Sequence, residues 1–498
     1  MPYSNQYWRA CATRGAEPML ITMELHEYVH LDGVGLAELI RTGEVTAHEV
    51  ETVAREALAI ADERLNGLTR PPFTRALAAS ADGVFAGVPF LLKDVPIAAG
   101  VPFTLGSRAV PDIVAARDSE LMTRFRRAGL ATLGTTTMCE LGLSFATESA
   151  RYGPTRNPYD PSRGVGGSSG GAAALVAAGA VPLAHANDAA GSIRVPASCC
   201  GLVGLKPSRG RVPCGPDTGE AAFGLLYEFA VTRTVRDAAH LLDAVHGPAL
   251  GDKYLVAPPL RPYAAEINAP QPRLRIALTT DAWSGAPVDP EVAEATVRTG
   301  RLLERLGHTV EQAAPSVNWE DVLTGMRGGV VANVAPLLFA PRRPPPDALE
   351  AVSRAAMAEV RASTALDLLR TFDAHNRVSR AAGAFFGEYD VLVTPTIAQL
   401  PAPHGTLDYD NPAYTVDSWL RRLFEYGPFT ALFNISGQPA VSLPLGRSGS
   451  GLPIGVQLVA GSGREDLLLR IAGALEPDFA TEPRTAVDRD EHVHGGGY

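Results

Sequence analysis

Apolar residues recur at intervals of three and four along residues 33–64, which is the spacing of one buried helix face. Thr46 stands three residues before Glu49, as in a capping box, where each residue caps a backbone N–H of the other. We therefore predict that this segment is helical, with Thr46 as an N-cap. Comparable patterns predict helices over residues 119–128, 172–178 and 290–306.

Short apolar runs bounded by glycine, proline or aspartate alternate with these helices. Such runs are typical of buried strands, and they cover residues 87–94, 131–134, 181–186, 273–279, 308–311 and 390–395. Residues 433–444 and 452–460 are predicted to form the two arms of a hairpin. The alternation of strand and helix favours an α/β fold in which helices cover a central sheet.

The chain shows no internal repeat and no linker long enough to divide it, so we predict one domain over residues 23–480. Within that domain, residues 312–388 form a mainly helical cap segment that is broken by the proline cluster at 341–346. Residues 1–22 differ in composition from the rest of the chain and are predicted to be a flexible extension or a start-site error. Residues 481–498 are predicted to be a polar tail.

Composition and charge exclude several classes of function. The apolar fraction of 46% is ordinary for a folded protein, and the net charge is 44 − 54 = −10 without any basic run. That balance argues against binding to a phosphate backbone. No apolar run approaches the roughly 20 residues of a membrane span. We therefore expect neither nucleic acid nor a membrane as a partner.

The cysteines inform the redox state and the metal content. They number five and are scattered along the chain, at Cys11, Cys139, Cys199, Cys200 and Cys214. An odd, scattered set in a chain of this length predicts reduced thiols in a cytoplasmic protein. The adjacent Cys199 and Cys200 lack the C-x-x-C spacing that closes on zinc. We predict no metal site and no cofactor.

Residues 164–201 differ from the rest of the chain in their density of glycine, serine and alanine. Such small side chains suit a backbone that approaches another group closely or adopts unusual dihedral angles. A low-complexity linker is the simpler alternative. A linker, however, would not contain the helix predicted at 172–178 and the strand predicted at 181–186.

A serine nucleophile needs a base to remove its proton and donors to hold the resulting oxyanion. None of the 11 histidines lies in a nucleophile elbow, and His185 stands in an apolar run that favours a buried core position. A lysine can serve as the base if burial keeps it neutral, and Lys93 ends the apolar run 87–94. Taken alone, Lys93 is more simply explained by pairing with Asp94 at the strand end.

A longer set of motifs changes this interpretation. They are GVPFLLKD at 87–94, GPTRNPYDPSRGVGGSSGG at 153–171, NDAAGSIRVPAS at 187–198, GLVGLKPSRGRVP at 201–213, GQPAVSLPLG at 437–446 and GLPIGVQLVAGSGREDLLL at 451–469. In this order and spacing, the chain resembles the amidase signature family from about residue 36 to residue 475. The resemblance implies one large domain with a mixed, twisted sheet covered by helices on both faces. It also implies a hydrolase that acts on the carbon–nitrogen bonds of amides.

Carried over to this chain, the resemblance implies three catalytic residues. Ser192, in the tetrapeptide GSIR, would be the nucleophile, and Lys93 would be the general base. Ser168 lies 192 − 168 = 24 residues before the nucleophile. It would relay the proton between the other two and would follow a cis peptide bond from Gly167.

The resemblance also assigns the oxyanion hole and its supports. The oxyanion donors would be four consecutive backbone N–H groups, those of Ala189, Ala190, Gly191 and Ser192. A helix beginning at Ile193 would add the positive end of its dipole. Asp188 and Arg194 are predicted to position this loop, and an ordinary buried ion pair is the open alternative for each. Ser169 is predicted to support it by hydrogen bonds to the loop or to Asp188.

The chain departs from the commonest family sequence at one place, since it has DAAGS where many members have two glycines before the serine. It resembles the transfer-RNA amidotransferase subunit less, because that group has glutamine where Val195 stands. NDAAGSIR, together with the later FNISGQPAVSLPLG, resembles the subgroup that contains the hydrolase of the 6-aminohexanoate cyclic dimer. This similarity favours an uncharged, linear or cyclic aliphatic amide as the substrate.

Substrate contacts are predicted on both sides of the catalytic motifs. Met138 and Cys139 precede the bridging serine, and Phe429 and Asn434 precede the GQPA motif. The helical segment 320–390 is a further source of contacts. For Phe429, an ordinary core position remains an open alternative.

Three functions remain open at the level of sequence. A hydrolase passes the acyl group to water, whereas an acyl-transfer enzyme passes it from the same site to an amine. A non-catalytic binding or scaffold paralogue is the third, and the intact set of Lys93, Ser168 and Ser192 argues against it. The expected partner is a small-molecule amide, and the expected assembly is a homodimer.

Overall fold

The computed structural model describes residues 23–340 and 345–479. The predicted extension 1–22, the predicted tail 481–498 and residues 341–344 of the proline cluster lie outside the described residues.

The helices begin where the sequence provides caps. Thr46 accepts a hydrogen bond from the backbone N–H of Glu49, whose side chain caps Thr46 in return, so the predicted capping box is present. The segment predicted as one helical stretch over 33–64 forms two helices, because Gly43 adopts a φ of 75° and ends the first. The helices are α1 Leu25–Tyr28, α2 Gly33–Thr42, α3 Ala47–Leu65, α4 Glu120–Ala128, α5 Gly170–Ala177, α6 Arg194–Cys200, α7 Val235–Val245, α8 Pro290–Arg305, α9 Trp319–Val334, α10 Pro336–Phe339, α11 Ala351–Ala362, α12 Ala365–Phe385, α13 Val416–Tyr426, α14 Ala431–Ser436 and α15 Glu465–Leu475.

The strands follow the apolar runs that the sequence predicts. They are β1 Pro89–Lys93, β2 Pro102–Phe103, β3 Ile113–Val114, β4 Ala131–Thr136, β5 Glu148–Ser149, β6 Gly153–Pro154, β7 Leu183–Asp188, β8 Val203–Lys206, β9 Tyr227–Thr232, β10 Arg275–Leu278, β11 Thr309–Gln312, β12 Val391–Pro395, β13 Ala440–Arg447 and β14 Pro453–Ala460.

Eight of these strands form one sheet in the order β11-β10-β12-β14-β13-β8-β9-β7. β10 pairs in parallel with β11 and β12, and the other neighbours are antiparallel. Helices α5, α6, α7, α8 and α15 pack against its strands. The predicted α/β architecture with a mixed sheet flanked by helices is therefore confirmed.

A second sheet, of two parallel strands, places the motif at 87–94 next to the motif at 187–198. β1 pairs with β4, and β1 also packs beside β7 at the end of the large sheet. The backbone N–H of Lys93 donates to His185 Nδ1 across this junction, at 3.3 Å. The end of β1 thereby lies next to the strand that leads into the DAAGS loop.

The cap segment consists of helices α9 to α12, with α9 packed against α11 and α12. By length and mean hydropathy alone, Trp319–Phe339 could cross a membrane, so the expectation that no segment approaches that length is wrong on this criterion. Only 39% of its apolar window is buried. In the structure this segment is divided into α9 and α10.

One arm of the predicted hairpin is shorter than the sequence suggests. β13 and β14 do pair antiparallel, but residues 431–436 form α14 instead of continuing the strand. Gly437, with a φ of 91°, ends that helix before β13 begins. Short apolar runs have the same appearance in a helix and in a strand, which is why the sequence pattern failed here.

Candidate active site

Lys93 is the last residue of β1 and is fully buried. Its Nζ donates to Ser168 Oγ at 2.7 Å, to Ser169 Oγ at 2.9 Å and to Asn187 Oδ1 at 2.6 Å. These three acceptors match the three donors of an ammonium group. Desolvation by burial nevertheless lowers the pKa of Lys93 to about 8. The amine is therefore neutral in a useful fraction of molecules near neutral pH.

The simpler interpretation of Lys93, a pair with Asp94, does not hold. β1 ends at Lys93, and within the described residues the Asp94 carboxylate that follows makes no hydrogen bond or ion pair with the amine. It accepts hydrogen bonds from the backbone N–H of Thr104 at 2.8 Å and from that of Gly106 at 3.1 Å. Asp94 thus anchors a neighbouring loop, and Lys93 is free to face the serines.

The small residues before α5 allow the close approach that the sequence predicts. The Gly167–Ser168 peptide bond is cis, as the family resemblance implies. A Cβ atom on Gly171 would lie 2.5 Å from the carbonyl oxygen of Gly67, closer than any side chain tolerates. Because Gly171 has no side chain, the start of α5 packs directly against the neighbouring backbone, with Ser168 and Ser169 immediately before it.

The loop before Ser192 is fixed by an ion pair between Asp188 and Arg194. Arg194 Nε and Nη2 each lie 2.9 Å from an oxygen of the Asp188 carboxylate, and both side chains are fully buried. Burial opposes the ionisation of Asp188, but the Arg194 guanidinium lowers its pKa to about 2. Asp188 also accepts from the backbone N–H of Ile193 at 3.2 Å. The pair therefore joins the strand end to the start of α6.

The backbone N–H groups of Ala189, Ala190, Gly191 and Ser192 donate to no protein acceptor within the described residues. Four adjacent unpaired donors beside a serine are what an oxyanion hole requires. Gly191 adopts a φ of 143°, and a Cβ atom there would lie 2.5 Å from Thr430 Oγ1. Thr430 Oγ1 in turn donates to the carbonyl oxygen of Ala190 at 2.5 Å. The loop conformation thus depends on glycine and on a threonine from a distant segment.

Ser168 and Ser192 are both buried, at 2% and 3% exposure. In the part of the chain described, no hydrogen bond joins them directly, whereas Ser168 is bonded to Lys93. Catalytic hydrogen bonds are often long in unliganded enzymes and shorten in the substrate complex.

Ser169 takes a different place from the one predicted. Its Oγ accepts from Lys93 and donates to the backbone carbonyl of Asn187 at 3.2 Å, and it does not contact Asp188. Ser169 therefore supports the amine and the end of β7 together.

Two of the predicted substrate contacts lie in the interior. Asn434 is fully buried, accepts from Arg194 Nη2 at 2.6 Å and donates to Asp188 Oδ1 at 2.8 Å. Phe429 is fully buried against Trp283. Asn434 thus supports the loop through Asp188 and Arg194, and Phe429 takes the core position that the sequence analysis left open.

Met138 lies near Ser168, and Cys139 lies near the Lys93 amine. A Cβ atom on Gly142 would be 3.5 Å both from Met138 Cε and from Ser168 Oγ, which places the methionine beside Ser168. Cys139 Sγ donates to the carbonyl oxygen of Ser144 at 3.3 Å. Burial raises the pKa of its thiol to about 12, so Cys139 remains uncharged.

Within residues 23–340 and 345–479, no three His, Cys, Asp or Glu side chains converge in a way that could hold a metal ion. The four cysteines of these ranges are free thiols, and Cys199 and Cys200 are fully buried.

Sequence reasoning missed the residues that surround Lys93 from β7 and β9. Asn187 binds the amine, and Glu228 binds Asn187 and His185. The spacing of His185 and Asn187, two apart on a strand, predicts that both face the same side. Nothing in the sequence marks Glu228, because its position depends on the register between two strands, and it lies 41 positions from Asn187 along the chain.

Replacing Gly191 with alanine is expected to lower kcat/KM by about 100-fold or more if these N–H groups hold the oxyanion, since the new methyl group collides with Thr430 and moves one of the four unpaired donors. The free energy of unfolding should fall by about 1–3 kcal/mol from the positive φ and the collision. Steady-state kinetics and thermal unfolding of the same preparation measure the two effects.

Gly43→Ala is the matched control for this substitution. Gly43 also has a positive φ, but nothing lies within 4 Å of the added Cβ atom. It should lose stability without losing activity. Equal activity of the Gly191→Ala variant and the Gly43→Ala variant would show that the DAAGS loop has no catalytic part.

Comparison with known proteins agrees with this geometry. A family model described as Amidase matches residues 50–469. The 6-aminohexanoate-cyclic-dimer hydrolase of Pseudomonas sp. (strain NK87) is 37% identical over 473 residues, which cover 89% of this chain and 94% of that protein. A putative amidase AmiC of Mycobacterium tuberculosis (strain ATCC 25618 / H37Rv) is 37% identical over 467 residues, 90% and 94% of the two chains.

A solved structure of 6-aminohexanoate cyclic dimer hydrolase complexed with substrate superimposes with a TM-score of 0.85 at 34% identity. The match covers 92% of this chain and 99% of the other. The family model spans every residue of this site, from Lys93 to Asn434.

Proposed function

Because the chain belongs to the amidase signature family and is a hydrolase of amide bonds, we propose that it cleaves its substrate through an acyl-enzyme on Ser192. In this proposal Ser168 relays the proton and Lys93 is the general base. The contact that supports it most directly is the 2.7 Å hydrogen bond from Lys93 Nζ to Ser168 Oγ in a fully buried setting.

The first half of the reaction forms the acyl-enzyme. Ser192 Oγ attacks the carbonyl carbon while its proton passes to Ser168, whose own proton passes to the neutral Lys93 amine. The negative charge on the carbonyl oxygen is held by the N–H groups of residues 189–192. The carbon–nitrogen bond then breaks, and the proton returns through Ser168 to the leaving amine.

The second half releases the acid. Water attacks the ester carbonyl, its proton follows the same route to Lys93, and the Ser192 oxygen leaves with a proton from Ser168. Each cycle consumes one amide and one water and restores all three side chains.

The proposed substrate is an uncharged, linear or cyclic aliphatic amide. The similarity to hydrolases of the 6-aminohexanoate cyclic dimer supports this class. A panel of cyclic and linear aliphatic amides, aryl amides and charged amides tests it. The highest kcat/KM is expected for the uncharged aliphatic members, and a preference for a charged or aryl amide would overturn the assignment. Adding a competing amine and measuring the products separates hydrolysis from acyl transfer.

The proposed nucleophile is tested by a fluorophosphonate probe followed by peptide mass mapping. The Ser192 oxygen should displace fluoride from phosphorus and carry the only stoichiometric adduct, while a Ser192→Ala variant remains unlabelled. Circular dichroism establishes that both proteins are folded. A folded wild-type protein that takes no label at Ser192, or is labelled equally at Ser169, would refute the mechanism.

A further inference from the structure

The Lys93 amine belongs to a buried polar chain that extends beyond the two serines. On the side away from Ser168, the amine donates to Asn187 Oδ1 at 2.6 Å. Asn187 Nδ2 then donates to Glu228 Oε1 at 3.3 Å, and the other oxygen of Glu228 lies 2.7 Å from His185 Nε2. The proposed reaction uses none of these three residues.

The strand register explains how these groups meet. β7 and β9 are antiparallel neighbours, and Asn187 lies directly opposite Glu228 in the ladder. His185 is two residues before Asn187 and faces the same side of the sheet. Glu228 is therefore placed between the two β7 side chains, with one carboxylate oxygen for each.

The hydrogen bonds fix the orientation of every member. His185 Nδ1 accepts from the backbone N–H of Lys93, so the ring carries its proton on Nε2 and donates it to Glu228. The other Glu228 oxygen accepts from the amide nitrogen of Asn187, which leaves the amide oxygen to face the lysine. If the Asn187 amide were rotated, its NH2 group would face the Lys93 ammonium, donor against donor. The hydrogen bonds to Lys93 and to Glu228 would then both be lost.

We propose that Glu228 is a positioning residue of the active site: through Asn187 it holds the Lys93 amine toward Ser168, and its negative charge sets the pH range in which Lys93 can act as the base. The inference rests on the function proposed for Lys93.

Of the acidic groups around Lys93, Glu228 is the one without an arginine or lysine ion-pair partner in the described residues. Burial lowers the pKa of the amine, and Cys139, Glu228 and Asp188 are the neighbours that raise it when they carry a negative charge. Cys139 is an uncharged thiol, since burial raises its pKa to about 12. Asp188 is neutralised by its ion pair with Arg194. Glu228 has no arginine or lysine partner in the described ranges, and His185 is its partner.

Glu228 also lines a small cavity, together with Cys214, Glu220, Asp252, Lys253 and Tyr254 among others. The cavity has a volume of about 40 Å³. That volume accommodates roughly three water molecules. The Glu228 side chain is 13% exposed, whereas His185 is fully enclosed. The carboxylate is therefore reached by solvent on the cavity side, while His185 covers the other side.

The test is the pH dependence of kcat/KM for a Glu228→Gln variant. Removing the charge should lower the pKa of Lys93 and move the rising limb of the profile to lower pH by about one unit. At pH 7 the variant would then reach roughly five times the wild-type fraction of its own plateau rate. The plateau itself should fall, because the amine is held less firmly. A residue with only a structural role would lower the plateau without moving the limb.

Glu220→Gln is the matched control, since Glu220 lines the same cavity but bonds to Lys253 and Tyr254. Its profile should stay where the wild-type profile lies. An Asn187→Asp/Glu228→Gln double variant keeps the net charge and brings the carboxylate into contact with the amine. Its limb should move to higher pH than that of the wild type, which tests the inference independently if the single variant folds poorly.

An unmoved limb in a folded Glu228→Gln variant, with Ser192 still labelled by the fluorophosphonate, would overturn the role of Glu228 and leave the proposed function intact. Failure of Ser192 labelling in the wild-type protein would refute the proposed function itself.

Discussion

A Ser192→Ala variant is expected to lose about four to six orders of magnitude in kcat, the range found when a serine hydrolase loses its nucleophile. Alanine has no oxygen with which to form the acyl-enzyme. The side chain is only 3% exposed and loses a single atom, so the fold should be retained. Hydrolysis of an aliphatic amide, followed under single-turnover and steady-state conditions, measures the loss.

The serine next to Lys93 provides the comparison for this variant. Ser168→Ala should also lose most of the activity, because the 2.7 Å hydrogen bond between Lys93 Nζ and Ser168 Oγ is the last link of the proposed relay. Ser169→Ala should lose much less, since Ser169 contacts the amine but has no assigned proton transfer. A Ser192→Ala enzyme that retained more than about a thousandth of the wild-type rate would contradict an acyl-enzyme on this residue.

Replacing Lys93 with methionine is expected to lower kcat/KM by about three to four orders of magnitude near neutral pH, because the relay then ends without a base. Methionine has a similar length and no charge, so it fills the buried site. Because Lys93 and Ser192 act in the same proposed relay, the double variant Lys93→Met/Ser192→Ala should be no slower than Ser192→Ala alone.

The wild-type pH profile accompanies this substitution. Only neutral Lys93 accepts a proton, so kcat/KM should rise with pH through an apparent pKa of about 8, the value to which burial lowers the amine. Below that pH the rate should fall about tenfold per unit, as the protonated fraction rises. The limb should be absent from the residual activity of Lys93→Met. A wild-type rate that is level from pH 6 to pH 9 would exclude Lys93 as the base.

Much of the local structure follows from the chain itself. The Thr46–Glu49 capping box, the helix that begins after Ser119 and the apolar strand that ends at Lys93 lie where their patterns predict them. These elements depend on neighbours within a few residues, so the sequence contains their causes. The pattern failed at residues 433–436, where a short apolar run suits a helix as well as a strand.

The active site also has a part that the sequence predicts and a part that depends on tertiary contacts. The motifs single out Lys93, Ser168 and Ser192, because each stands in a long, ordered signature. The side on which Lys93 points could not be derived from GVPFLLKD, where Asp94 is the nearest partner along the chain. The amine faces Ser168 because β1 packs beside β7 and opposite a glycine-rich helix start, and those contacts join residues 75 and 94 positions apart.

The sequence by itself therefore determined the family, the class of fold and the three residues with the proposed chemistry. The tertiary structure decided which groups surround them. It moved Phe429 and Asn434 from the expected substrate surface into the interior, and it brought Glu228 to Asn187. Burial and strand register are properties of contacts between distant segments, and a one-residue change of register would turn Glu228 to the other face of the sheet.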